Sequence, residues 1–297
     1  MICPVCESAR TYLWENIKYQ NYNLFIRKCV SCSSLFQFPE IKDANSLYQQ
    51  KYYEGDADYS YYDERKSHAA SKIVYLSRLK NIHKFINKGF FLDVGCSFGG
   101  FAYTASDYYQ SFGIDVSNFS IKEGTVWLKS LDPKNNFKGI YKGSLINLPK
   151  INAFKKNHFD IITMIEVAEH LKNPLANFKS AYDLLNKNGL LIIQTANFDA
   201  WQAINAGKNY HYFLPGHLVY FSAKALEKAL KKIGFRKFIQ YTPVDFSLNA
   251  KLRKSGRNFT GFFRYLKWLS IVYYHLKSYL RKKERPLTSS FVLYAFK

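Results

Sequence analysis

The sequence is short of acid. Across 297 residues, Asp and Glu number 22 against 43 Lys and Arg, leaving a net charge of +21. Two explanations stand side by side. One is compositional drift toward Lys, Asn, Tyr, Ile and Phe. The other is an anionic partner: nucleic acid, a phosphorylated carrier or a membrane surface. Long apolar runs are missing too. No stretch approaches the ~20 apolar residues of a membrane span. The opening Met1-Ile2-Cys3-Pro4 has neither the basic region nor the apolar run of a secretory signal. A cytoplasmic location with reduced thiols is therefore expected. What is plentiful is apolar surface: 47% of residues are hydrophobic and 18% aromatic, enough for a sizeable core. The length exceeds one small domain and falls short of three.

Cysteine is scarce, with five residues, yet four of them form a pattern. Cys3 and Cys6 make one C-x-x-C pair, Cys29 and Cys32 a second, with 22 residues between the pairs. Each short knuckle can give two sulfurs to a tetrahedral ion, and residues 11–14 and 24–28 read as the strands of a hairpin between them. Cys3, Cys6, Cys29 and Cys32 are thus expected to hold a structural zinc in a ribbon domain over 1–40. Two disulfides are the alternative. Four thiolates close the coordination shell, so no metal catalysis is expected there. Residues 41–88 read as a helical connector or cap. Ile73, Leu76, Leu79, Ile82, Phe85 and Ile86 recur at helical spacing. Tyr59, Tyr61, Tyr62, Arg65 and His68 either line a pocket or pack at a domain junction.

Residues 90–105 read as strand, glycine turn and helix start. Phe90, Phe91 and Leu92 lead into Asp93, followed by Gly95, Cys96, Ser97, Gly99 and Gly100. Such a turn lets backbone approach a nucleotide-like ligand, with the helix amino end facing it. Residues 112–117 read as a second strand ending at Asp115, an acid placed to accept from ribose hydroxyls. A dinucleotide fingerprint needs G-x-G-x-x-G, whereas the pattern here is D-x-G-x-S-x-G. This resembles motif I of class I S-adenosylmethionine (SAM) methyltransferases, and GIDVS at 113–117 looks like their ribose-binding motif II. Ser97 stands where that family usually has its middle glycine. The resemblance implies cofactor contacts at Asp93, Gly95, Cys96, Ser97, Gly99, Asp115, Val116, Ser144, Leu145 and Ile165. Many members carry an acid at the Ser144 position, so the adenine contact there falls to the Leu145 backbone. The implied fold is α/β, a Rossmann-like seven-stranded SAM methyltransferase sheet over 89–297 with a small N-terminal zinc ribbon. Further strands read at 139–142, 158–164, 190–195 and 238–241. Residues 290–297 form the antiparallel closing strand.

After the fourth of these strands come Glu166, Glu169 and His170. Placed on a helical turn, the three share one face at i, i+3 and i+4, at the mouth where α/β sheets bind ligands. They can hold a divalent ion or act as general acid and base. The alternative is that His170 caps a helix or packs near the cofactor. E-x-x-E-H resembles the same run in ubiquinone-type O-methyltransferases and small-RNA 2′-O-methyltransferases. That likeness implies a divalent metal at Glu166, Glu169 and His170, with His217 as the downstream ligand of the RNA group. The aromatic loop over 198–217 suits a sugar or another ring, or else packs in the core. Residues 251–286 hold eleven Lys or Arg against Glu284, a net of +10. With its interspersed aromatics this insertion reads as a helix on an anionic membrane surface, a lid, or a dimer element.

A four-cysteine domain, a SAM domain and an H-x-x-x-F-S element together resemble bacterial methyltransferases acting on sugars. The expectation is methyl transfer from SAM to a nucleotide-sugar, lipid-linked glycan or surface polysaccharide, with His170 or His217 as base and Glu166 or Glu169 orienting it. Peripheral contact with the inner membrane surface would accompany a lipid-linked acceptor. An RNA methyltransferase, a ubiquinone-type enzyme and a non-catalytic scaffold are the alternatives, nucleic acid being the less favoured partner.

Overall fold

A computed structural model describes residues 1–40, 52–53, 63–150, 154, 158–255, 263–280 and 286–297. Strands β1 (Thr11–Tyr19) and β2 (Tyr22–Cys29) form the hairpin expected between the cysteine pairs, followed by β3 (Leu35–Gln37). A 3-10 turn at Glu64–Ser67 leads into α1 (His68–Ile82), the connector helix. Tyr59, Tyr61 and Tyr62 lie outside the described residues. Then come β4 (Phe90–Val94), α2 (Gly100–Ala105), β5 (Gln110–Asp115), α3 (Asn118–Lys129) and β6 (Phe137–Lys142). The chain continues through β7 (Phe159–Ile165), α4 (Pro174–Leu184), β8 (Leu185–Ala196), α5 (Trp201–Ala206) and β9 (Val219–Tyr220). It ends with α6 (Ala223–Ile233), β10 (Lys237–Tyr241), α7 (Leu248–Ser255), α8 (Phe263–Leu280) and β11 (Ser290–Phe296).

The large sheet has the order β10-β11-β8-β7-β4-β5-β6, with β11 antiparallel to both neighbours and the adjacent pairs from β8 to β6 parallel. Its central strands are apolar on both faces because helices cover both. Leu92, Ile162, Met164, Leu191 and Ile193 pack on one side with Phe178 of α4 and Leu226 and Leu230 of α6. Phe91, Ile161, Leu190 and Ile192 pack on the other with Leu79 and Ile82 of α1 and Phe101 of α2. Local signals hold at the edges. The Ser222 hydroxyl accepts from the Ala225 N–H at 3.2 Å to cap α6, and Gly234 ends that helix at φ 130. A glycine is needed there because side chains disfavour positive φ.

The ribbon does not stop at its own hairpin. β9, from the far end of the aromatic loop, pairs antiparallel with β3, giving a second sheet of order β1-β2-β3-β9. The ribbon's Cys3, Val5, Cys29 and Phe36 belong to the same core as the large sheet. This decides one alternative for the loop. Tyr210 and Phe213 are buried against Leu24, Ile26 and Leu35 of the ribbon, and Trp14 meets Phe198 edge-on at 5.8 Å. These aromatics are core packing. Of the basic insertion, 256–262 and 281–285 lie outside the described residues. No described helix is long and apolar enough to cross a membrane.

Candidate active site

The four ribbon thiols converge. Cys3 and Cys32 sulfurs lie 3.6 Å apart, as do those of Cys6 and Cys29, and all four lie within 4.8 Å of one another. A disulfide needs about 2.05 Å. Sulfurs bound at about 2.3 Å to a tetrahedral zinc stand close to 3.75 Å apart. The arrangement fits the ion and not the disulfide alternative, and all four cysteines are unbridged. The crowded thiols share protons: accepting a hydrogen bond from Cys3 brings Cys32 down to about 5, and the same bond with burial drives Cys3 up.

At the end of β4 the turn takes the shape its glycines dictate. Gly99 sits at φ 89, and a Cβ there would come within 2.8 Å of Ile140 Cγ2 and Leu128 Cδ1, so this glycine serves the packing of α2 on its neighbours. Ser97 adopts φ 50, the left-handed region, without being a glycine. Its N–H donates to Asp115 Oδ2 at 2.9 Å, while the Ser117 N–H donates to Oδ1 at 2.8 Å. Burial pushes the Asp115 carboxyl up, and those two N–H groups oppose the shift. Asp93 accepts from Thr163 Oγ1 at 2.7 Å, and burial pushes it up to about 7. The Ser97 hydroxyl is buried with no hydrogen-bond partner among the described residues. An orphaned hydroxyl beside a ribose-type acid is what a polar ligand would satisfy, so these residues fit the SAM cofactor.

The other expected contact residues differ in exposure. Cys96 packs its side chain among Tyr103, Leu128 and Ile140, and burial raises its thiol well above the usual range. The Leu145 side chain is buried in the main core, while Ser144 and Ile165 are half-buried. Val116 is 54% exposed at the mouth. One connector residue, Glu64, was not anticipated. Buried Glu64 accepts from the Gly100 N–H at 3.3 Å and from the Tyr75 hydroxyl, tying the connector to the amino end of α2. Arg65, paired with Asp63 at 3.0 Å, lies over the Phe98 ring at 4.1 Å. His68 meets Trp127 edge-on at 5.0 Å, a junction contact.

The carboxylate–histidine group departs from the expected helical turn. Glu166 follows β7 at φ 56, and a 3-10 turn begins only at Ala168, so the three residues do not share a helical face. The chain reverses at the strand end instead, and long-range partners assemble the group. Gln194 Nε2 donates to Glu166 Oε1 at 2.6 Å, and Thr195 Oγ1 donates to Glu169 Oε2 at 2.7 Å. Arg78, ion-paired with Asp245 at 2.8 Å, donates to the Gln194 carbonyl and so turns its amide toward Glu166. The polar pair Gln194-Thr195, following four apolar residues, was the sequence signal for this network. Burial, and then the charge of Glu169, push Glu166 up to about 8, so it carries the pair's proton at neutral pH.

His170 and His217 lie together, ring centroids 4.7 Å apart. Each Nδ1 is 2.8 Å from a carbonyl oxygen, Gly216 for His170 and Tyr212 for His217. A carbonyl only accepts, so both Nδ1 atoms carry hydrogen and the lone pair falls on Nε2. Burial lowers both histidines, which keeps the rings neutral. Glu169, His170 and His217 place donor atoms within 4.8 Å of one another. Glu166 stands outside that trio.

Strand order, the D-x-G-x-S-x-G turn and Asp115 define a Rossmann-like, SAM-dependent methyltransferase. A family model described as a methyltransferase domain matches residues 63–241, more than half of the sequence, and the chain belongs to that family. Curated relatives are named ubiquinone biosynthesis O-methyltransferase. That of Histophilus somni (strain 2336) is 38% identical over 65 residues, 21% of this chain and 27% of the relative. That of Glaesserella parasuis serovar 5 (strain SH0165) is 29% identical over 113 residues, 36% of this chain and 44% of the relative. The chain thus spans less than half the length of the curated relatives it matches. Among solved structures, a SAM complex of Haemonchus contortus phosphoethanolamine N-methyltransferase 2 has a TM-score of 0.52 at 14% identity, covering 95% of this chain and 71% of that one. That likeness speaks to the fold alone.

Proposed function

We propose that this protein methylates a hydroxyl of a sugar unit, carried on a nucleotide, a lipid-linked glycan or a surface polysaccharide. One observation carries the reaction type. Two neutral imidazoles stand beyond the carboxyl end of β7, each with its Nε2 lone pair set by a carbonyl on Nδ1. Such a nitrogen can take the proton of an attacking hydroxyl. Asp115, Ser97 and Asp93 would hold the cofactor, with Gly95 giving backbone access. When bound, SAM supplies a sulfonium methyl that the acceptor oxygen displaces in line. The residues' task is alignment and proton removal. Glu169, fixed by Thr195, and Glu166, fixed by Gln194, keep the floor of the site polar and set. The names of the curated relatives favour oxygen as the accepting atom.

The trio Glu169, His170 and His217 favours a second form of the same reading. Three donors would hold a divalent ion with positions left open for a hydroxyl, and its chemistry would be to polarise that oxygen. His170→Ala and His217→Ala, assayed separately with and without added Mg²⁺ or Mn²⁺ and without chelator, decide between the forms. A base role predicts a fall of about 10²–10⁴ in turnover for one variant and turnover indifferent to the added ion. A metal role predicts losses in both variants and wild-type turnover that rises with the added ion. Full turnover in both variants would sink either form.

A further inference from the structure

A cavity of about 330 Å³ lies between α5, α7, α8 and the start of β11. Its size falls within the range of small-molecule sites. Tyr212 lines it, and the same Tyr212 ring stacks on His217 with centroids 5.8 Å apart at 22°. Cavity and histidine pair therefore share a wall. The lining mixes apolar surface with hydroxyls that a closed core would not leave unpaired. Thr288 is 8% exposed, and its Oγ1 has no hydrogen-bond partner among the described residues. Ser290 Oγ, on the same wall, is also buried without one. Buried hydroxyls are ordinarily satisfied, so two orphans facing one cavity mark positions that a ligand completes.

The charge is equally specific. Lys251 of α7 reaches the cavity, and no carboxylate among the described residues lines it. Among the described residues Lys251 has no acidic ion-pair partner. The other titratable groups of the lining are His211, neutral through burial, and the phenols of Tyr212 and Tyr274. Burial also pulls Lys251 down from the ordinary lysine range, a cost that a bound anion would remove. A half-buried ammonium, two hydroxyls and two tyrosines make a surface for a polyhydroxylated ring bearing negative charge.

We propose that this cavity is the acceptor site, and that it holds an anionic sugar: its phosphate or carboxylate on Lys251, its hydroxyls on Thr288 and Ser290. The inference rests on the methyltransferase reading and adds the acceptor's charge. Calorimetry on the full chain, saturated with S-adenosylhomocysteine, tests it with glucose 1-phosphate, glucuronate and glucose as probes. An anionic probe should bind about tenfold more tightly than glucose, as a charge-assisted hydrogen bond gives. Preference for glucose 1-phosphate assigns the anion as phosphate; preference for glucuronate assigns it as carboxylate. Lys251→Gln should abolish the advantage and Lys251→Arg restore it, with S-adenosylhomocysteine affinity and melting temperature unchanged in both. Thr288→Val should weaken all sugar binding. Equal or absent binding of the three probes, or an advantage that survives Lys251→Gln, overturns the proposal. Failure of S-adenosylhomocysteine itself to bind would instead remove the methyltransferase reading.

Discussion

Ser97→Gly should strengthen the free protein and weaken its grip on the cofactor. Ser97 holds φ 50, and its buried hydroxyl has no partner among the described residues. Left-handed backbone costs a non-glycine residue about 1–2 kcal/mol. An unsatisfied buried hydroxyl costs about 1–3 kcal/mol more. Glycine's larger chain entropy returns roughly 0.5–1 kcal/mol of that gain to the unfolded state. The net expectation is stabilisation by about 1–4 kcal/mol, or roughly 2–4 °C in melting temperature for each kcal/mol. The cofactor should pull the other way. If the hydroxyl serves SAM, its loss removes one hydrogen bond of about 0.5–1.5 kcal/mol, a weakening of roughly 2- to 10-fold. The Ser97 N–H bond to Asp115 survives, because it is backbone. Differential scanning calorimetry and isothermal titration with SAM read the two effects. Ser97→Ala, which keeps the strain and loses the hydroxyl, separates them. Equal or tighter SAM binding in both variants would refute the idea that the orphan hydroxyl faces the cofactor.

Asp93 gives a pH signature. Its folded value is raised from 3.8 to about 7 by burial, so folding favours the protonated form. That contribution is fully present below about pH 4 and is lost as pH rises through 7. Asp93→Asn escapes the loss, so its advantage in urea denaturation should open between pH 4 and 7 and level off above, at no more than about 4 kcal/mol. A gap that does not change with pH would rule this out. The ribbon cysteines should bring one zinc per chain in elemental analysis. Chelation should expose four reactive thiols and lower the melting temperature; four thiols reactive in metal-free, fully stable protein would contradict it.

The architecture was legible because its signals are local. Apolar strand runs, the glycine turn and the Ser222 cap each depend on a few neighbouring residues, and the closing strand at 290–297 announced itself by composition. The candidate site was partly legible. Glu166, Glu169 and His170 are adjacent in sequence, but the helical turn drawn through them was wrong in geometry. Glu166 takes positive φ and is fixed by Gln194, 28 residues away, which is oriented in turn by Arg78. Periodicity carries no information about such contacts. Aromatic residues over 198–213 could not be divided between pocket and core either. The division depends on which ring meets the ribbon, and that follows from β3 pairing with β9.

That pairing also bears on why a four-cysteine ribbon precedes this sheet at all. Gln37 of β3 donates its N–H to the Leu218 carbonyl at 2.9 Å, and the Leu218 N–H donates to the Glu169 carbonyl at 2.8 Å. One ladder of backbone bonds therefore runs from the ribbon edge through the residue beside His217 to Glu169. Beneath it, Leu24, Ile26 and Leu35 cover Tyr210, Phe213 and Tyr220, the rings that fix the loop whose Tyr212 carbonyl orients His217. Were the ribbon absent, the two-residue strand β9 would keep no sheet partner and those rings would face water. A strand so short is not stable alone. The ribbon is thus a wall of the candidate site and not an appended module: it holds the second histidine where the first can meet it.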